Sequence, residues 1–197
     1  MQDNLKNNLY VQKNFTHLLG LTGFSDTLMN NHFTLYNGYV ANSNKVVALL
    51  DTVEKGSYEY CELKRRLGWE LNGIKLHEMY WSNMNKDCGD TNISENMKNV
   101  LVENYGSIDE YKASLKRNGM IRGIGWVLLV QDNETKKIFH TWIGEHNVGI
   151  IIDAKILMVM DCWEHAYMTD YGIKRADYIE HFINAIDWKV VEERLTK

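Results

Sequence analysis

Leu28, His32, Leu35, Tyr36, Tyr39, Val46, Leu49 and Leu50 recur at threes and fours between Ser25 and Val53. That is the period of one helix face, and Ser25 ahead of Asp26 offers an N-cap, so the pattern predicts one long helix with a bend left open at Gly38. A second run from Tyr58 to Tyr80 carries Cys61, Leu67, Leu71, Leu76, Met79 and Tyr80 at the same spacing, with Gly56 and Ser57 as the turn between the two. The expected unit is a helical hairpin. The polar segment Ser82–Asn92 (SNMNKDCGDTN) then breaks the period and marks a boundary, giving an N-terminal helical hairpin domain, 1–86, and a C-terminal α+β domain, 87–197.

Beyond the boundary, Ile93–Tyr105 and Ile108–Met120 read as two helices separated by Gly106 and Ser107. The pattern then changes. IGWVLLV (Ile124–Val130) and IFHTWI (Ile138–Ile143) are β-rich runs joined by the polar QDNETKK, and ILMVM (Ile156–Met160) is a third strand that lacks alternation and so is expected to be buried on both faces. Helices return at Trp163–Tyr171 and Ala176–Ile186. The expected fold class is α+β: a long α-helical hairpin, then a C-terminal domain with a small three-stranded antiparallel sheet.

Charge and composition narrow the function classes. With 22 Lys and Arg against 26 Asp and Glu, the chain has a net charge of -4 and lacks the basic surface of a general phosphate-backbone binder, so nucleic acid is not an expected partner. No apolar run approaches the roughly 20 residues that span a bilayer, and Met1–Gly20 mixes Asp, Lys and Asn with its leucines. Neither a membrane anchor nor a secretory signal is expected. Cys61, Cys88 and Cys162 are odd in number and form no C-x-x-C, which argues against a disulfide framework or zinc ribbon and for a reducing, cytoplasmic location.

Seven histidines carry most of the remaining information: His17, His32, His77, His140, His146, His165 and His181. Asp161 and His165 stand four apart where an apolar strand gives way to a helix, and side chains so spaced on a helix share a face and can bind one metal. Taken alone, such a pair is read more simply as an Asp N-cap with a surface His one turn later. His32 with Tyr36 and Tyr39, and His77 with Trp81, form ring-bearing stripes on the two hairpin helices; a stripe of this kind is either the wall of a site or ordinary core packing. Antiparallel helices can bring His32 and His77 face to face, as in helix-bundle metal sites. Three His and one Asp make a mixed nitrogen and oxygen shell suited to Fe, Mn or Zn and unsuited to Mg or Ca.

The segment Asp161–Trp188 (DCWEHAYMTDYGIKRADYIEHFINAIDW) resembles the D-x-W-E-H-A-Y signature of the iron/manganese superoxide dismutases, with the R-x-D-Y and closing I-x-W that follow it. His77–Trp81 is similar to the family's H-x-x-x-W, Gly123–Trp126 to its G-x-G-W, and HFTLYNGYVANSN (His32–Asn44) to its first-helix ligand region, in family order from about residue 18 to 190. The resemblance implies one Fe or Mn ion per chain, held by His32, His77, Asp161 and His165, with Tyr39 as the phenol at the mouth of the site. It further implies Trp81, Trp126 and Trp163 as an apolar wall and His146 as the residue that hydrogen-bonds the solvent at the metal. Glu164 matches the residue that reaches a ligand His of the second subunit in family dimers. The implied activity is conversion of superoxide to dioxygen and hydrogen peroxide by a homodimer, with a tetramer left open, and with attraction of the anion left to local basic residues such as Arg175.

The chain departs from the family pattern in places. His32 and Tyr39 are seven apart, one fewer than usual, and seven residues is almost two full turns of an unbroken α-helix, so the two still point the same way. Tyr36 stands where the family commonly has a second His and Met168 where it has the Tyr that meets that His across the dimer, so the gateway position is altered on both sides. Ala176 replaces a Pro. His17, His140 and His181 match no ligand position, and Cys162 is read as a small buried side chain. The competing readings are a non-haem iron oxygenase, which presents two His and one carboxylate, and a non-catalytic metal-binding relative of the same fold.

Overall fold

The structure is a computed structural model that describes residues 10–88 and 92–195. Residues 1–9 of the amino-terminal stretch and residues 89–91 of the polar segment lie outside the described part. The helical hairpin is α1 (Asp26–Leu50) and α2 (Tyr58–Ser82), followed by α3 (Glu95–Tyr105) and α4 (Ile108–Gly119). The same chemistry starts all four: Ser25, Ser57, Ser94 and Ser107 are N-caps whose side chains accept from the backbone N–H three residues on, each worth about 1 kcal/mol. α1 runs unbroken through Gly38, so His32, Tyr36 and Tyr39 share one buried stripe. In α2 the buried residues begin only at Glu70 and run to Trp81, and Cys61 is exposed. The working face of α2 is therefore its second half, which meets the sheet.

The sheet is antiparallel, with strands β1 (Gly125–Asp132), β2 (Ile138–Gly144) and β3 (Ala154–Asp161) in the order β2-β1-β3. Central β1 is buried from Gly125 to Gln131, and β3 is buried from Leu157 onward, as a strand without alternation requires. The register sets Trp126 opposite both Ile143 and Asp161. Strand alternation then places Asp161 on the same face as Val159.

Asn83 ties the outer edge of β3 to the end of α2. Its Oδ1 accepts from Val159 N–H at 2.8 Å and its Nδ2 donates to the Val159 carbonyl at 3.2 Å, satisfying outward backbone groups of an edge strand in a buried place. Asn83→Ala is expected to strand both groups and cost about 3 kcal/mol, lowering the thermal unfolding midpoint by roughly 10 °C. A shift under about 2 °C would show that Val159 finds other partners.

The carboxyl-terminal elements differ from expectation in one respect that matters for the site. Trp163–Tyr171 is not one helix: Trp163 is extended (φ -73°, ψ 151°), Glu164–Ala166 is a single 3₁₀ turn, and a four-residue α5 (Met168–Tyr171) follows. The cause is local, since Asp161 Oδ1 accepts from Trp163 N–H at 2.8 Å and holds the chain in a reversal as it leaves β3. α6 spans Arg175–Ala185, and a further short helix, α7 (Trp188–Glu193), is capped by the Asp187 carboxylate. No helix among the described residues is long and apolar enough to cross a membrane.

Candidate metal centre

Four side chains from three places in the chain converge between the hairpin and the sheet. His32 comes from α1, His77 from α2, and Asp161 and His165 from the end of β3 and the turn after it. One ligand atom from each lies within 4.8 Å of all the others. Asp161 Oδ2 is the centre, 3.2 Å from His32 Nε2, 3.2 Å from His165 Nε2 and 3.7 Å from His77 Nε2. Asp161 and His165 do not share a helix face, as their spacing suggested; the reversal at Trp163 brings them together.

The protonation pattern suits a cation. His77 Nδ1 lies 2.6 Å from the Gly73 carbonyl, which can only accept, so Nδ1 carries the proton and the Nε2 lone pair faces Asp161. Burial lowers the pKa of both His32 and His77, keeping them neutral, which is the state a metal ligand needs. Burial alone would raise the Asp161 pKa, but His165 and His32 outweigh it and hold the carboxyl well below the usual carboxylate range. His32 Nε2 and His77 Nε2 are buried without a hydrogen-bond partner, a costly arrangement for polar atoms. Three imidazole nitrogens around one carboxylate oxygen fit iron or manganese, and the orphaned nitrogens are the observation in favour of that fit.

Around the four stand the rings the sequence singled out. Trp81 lies 5.0 Å from His32 and 5.4 Å from His77 between ring centroids, Trp126 lies 4.9 Å from His77, and Trp163 stacks on His146 at 4.9 Å and on His165 at 5.8 Å. His146 is fully buried. Trp126 Nε1–H donates to its Nδ1 at 3.1 Å, so the proton sits on Nε2, which donates to the Tyr39 hydroxyl at 2.9 Å. Burial lowers the His146 pKa to about 4, so this neutral form holds at neutral pH. Tyr39 then keeps its own hydroxyl proton for another acceptor. Burial, and after it the Asp161 charge, lift the phenol above its usual range.

Other expected positions have different surroundings. Tyr36 is turned into the hairpin, its hydroxyl accepting from Lys13 N–H at 3.2 Å and donating to Glu78 Oε1 at 3.0 Å, while Met168 is about half exposed. Arg175 spends its guanidinium on the carbonyls of Ile121, Gly123 and Cys162, clamping the loop before β1 rather than offering a free cation. Glu164 is exposed beside His165 and Cys162 is buried. His17 is exposed; His140 is half-buried on β2, where its Nδ1 faces Ser114 and Tyr105.

Sequence reading missed two contributors on α2. Gly73 leaves the space that the Tyr39 ring fills, and Trp69 lies against both Tyr39 and His146. The available signal was their spacing of four and eight residues before His77.

Comparison with known proteins agrees with this geometry. The family profile described as iron/manganese superoxide dismutases, C-terminal domain, matches residues 93–194. An iron superoxide dismutase of Methanothermobacter marburgensis is 32% identical over 178 residues, covering 86% of this chain and 86% of the relative. One from Aquifex pyrophilus is 33% identical over 186 residues, covering 90% of this chain and 86% of the relative, and a manganese superoxide dismutase of Haloferax volcanii is 28% identical over 159 residues, covering 80% and 79%. The match extends through the hairpin that supplies His32 and His77 as well as the sheet that supplies Asp161, and on that ground the chain belongs to the iron/manganese superoxide dismutase family.

Proposed function

We propose that the chain dismutates superoxide, with His32, His77, Asp161 and His165 holding one iron or manganese ion. The buried cluster of three imidazoles on one carboxylate oxygen carries this reading. An iron or manganese ion held there would supply the one-electron redox chemistry by which two superoxides and two protons become dioxygen and hydrogen peroxide. The chain's part is to keep the site anionic by a single carboxylate, to exclude water and larger reductants, and to hold a proton ready. Trp81, Trp126 and Trp163 form the apolar wall. Tyr39, fixed by His146 and protonated at neutral pH, presents its hydroxyl proton at the mouth of the site. His146, with its ring nitrogens engaged by Trp126 and Tyr39, orients that phenol from behind rather than bonding solvent at the metal directly as the resemblance implied.

The assembly belongs to the same proposal. Glu164, exposed next to His165, is suited to reach a ligand His of a second subunit, giving a homodimer whose sedimentation mass is twice the 23.0 kDa of the chain. The division near residues 86 and 87 assigns His32 and His77 to one domain and Asp161 and His165 to the other, so the site lies between them. A cytoplasmic location is supported by the cysteine pattern.

The test is to strip the full chain of metal, reload it separately with iron and with manganese, and measure dismutation against metal counted per chain. One ion per chain with activity for at least one metal is the expected result. One ion per chain and no activity with either would move the reading to a non-catalytic relative.

A further inference from the structure

Behind Tyr39 and His146 lies a group of α2 side chains that the metal cluster does not use. Trp69 shares a helix face with Gly73 and His77, four and eight residues on. Its ring is 4.5 Å from that of His146, at 60°, and 5.6 Å from that of Tyr39. Its indole N–H donates to Glu145 Oε2 at 2.9 Å. The Arg66 guanidinium lies 3.8 Å over the indole and pairs through Nε with Glu70 Oε1 at 2.7 Å, and Glu70 is itself buried. The indole is thus fixed from both sides.

Glu145, the acceptor of the indole N–H, lies in a strained turn. It has φ of +50°, a left-handed conformation that costs a non-glycine residue about 1–3 kcal/mol and persists only where surrounding contacts impose it. Its N–H donates to the Ile124 carbonyl at 3.2 Å, and the next residue's carbonyl, that of His146, accepts from Asn72 Nδ2 at 2.9 Å. The turn that carries His146 is therefore held to α2 by Trp69 on one residue and Asn72 on the next.

We infer that Trp69 is a positioning residue: by holding Glu145 it sets the turn so that His146 meets Trp126 through Nδ1 and Tyr39 through Nε2. The inference deepens the dismutase reading, on which only its kinetic arm rests. Trp69→Phe keeps a ring against His146 and removes the N–H, Glu145→Ala removes the acceptor, and Glu145→Gln retains one.

The experiment uses the full chain in two forms. In metal-free protein, ¹⁵N NMR of the histidine rings reads the His146 tautomer; in protein loaded with iron or manganese, kcat and KM are measured per bound metal. Trp69→Phe and Glu145→Ala are expected to shift the His146 ring nitrogens away from the single Nε2–H form and to lower kcat about tenfold, with metal content unchanged. Glu145→Gln is expected to restore both. Unchanged His146 signals in Trp69→Phe and Glu145→Ala would overturn the inference, as would a Glu145→Gln variant that behaves like Glu145→Ala. Shifted signals in a protein inactive even as wild type would support the positioning role and count against the dismutase reading alone.

Discussion

Asp161→Asn is expected to empty the metal site while leaving the fold intact. The substitution keeps the volume, and the amide oxygen can still accept from Trp163 N–H, the bond that sets the reversal after β3. What it removes is the one anionic atom that stands 3.2–3.7 Å from three imidazole nitrogens. Those imidazoles are neutral, at least at the two fully buried positions, so no other group in the cluster offsets the charge of a bound cation. Removal of a partner that merely supports a ligand costs roughly 10- to 100-fold in metal affinity. Loss of the carboxylate itself is expected to exceed 100-fold. Metal analysis of purified protein should fall from one ion per chain to near zero, with the far-ultraviolet circular dichroism unchanged and no dismutation. Because His165 and His32 hold the charged carboxyl below its usual range, the metal-free variant is expected to be less stable than metal-free wild type at neutral pH while keeping its fold. Full metal occupancy in Asp161→Asn would sink the ligand assignment.

Gly73→Ala is the second large effect, and its direction depends on which of two terms wins. In an ordinary helix interior, alanine for glycine stabilises by about 1 kcal/mol. Here a Cβ would lie 2.6 Å from Tyr39 Cδ1 and 2.9 Å from both Cε1 and Cγ. The ring cannot yield easily, since Tyr39 is packed against His77 and Trp69 and bonded to His146. Forcing extra atoms into such a place costs about 1–3 kcal/mol, so the clash outweighs the helical gain. The displaced ring breaks the Tyr39–His146 hydrogen bond, whereas the His77 ligand stays on its helix with its Nδ1–H on the Gly73 carbonyl. Metal content is expected to stay at one ion per chain and turnover per metal to fall about tenfold or more. Undiminished turnover would mean that the Tyr39 position does not limit the reaction.

These two substitutions mark the difference between what composition and spacing make visible and what packing adds. Asp161 was visible because it sits in a long signature segment. Gly73 was not, because a glycine in a helix gives no sign of which ring comes to occupy its empty side. The same holds for Trp69, whose role depends on Glu145, 76 residues away in the chain.

The pattern of apolar and polar positions by itself determined the long hairpin, the two helices after it and the three antiparallel strands, because side-chain periods of 3.6 and 2 are local properties of the backbone. The candidate ligand set came instead from the resemblance to family motifs on α1, α2 and the end of β3, and the fold brings those four side chains together. The pattern did not determine how the chain passes from Asp161 to His165: a helix was expected there, and a backbone reversal held by the Asp161 carboxylate was found instead. Nor did it reveal α7, whose six residues are too few for a helical period to register and whose start depends on the Asp187 cap. The tautomers of His77 and His146, the turning of Tyr36 toward Glu78 and the use of Arg175 as a backbone clamp were likewise decided only in three dimensions. The physical reason is the same in each case: a polar side chain's state is fixed by the donor or acceptor that burial brings against it, and that partner comes from a distant part of the chain.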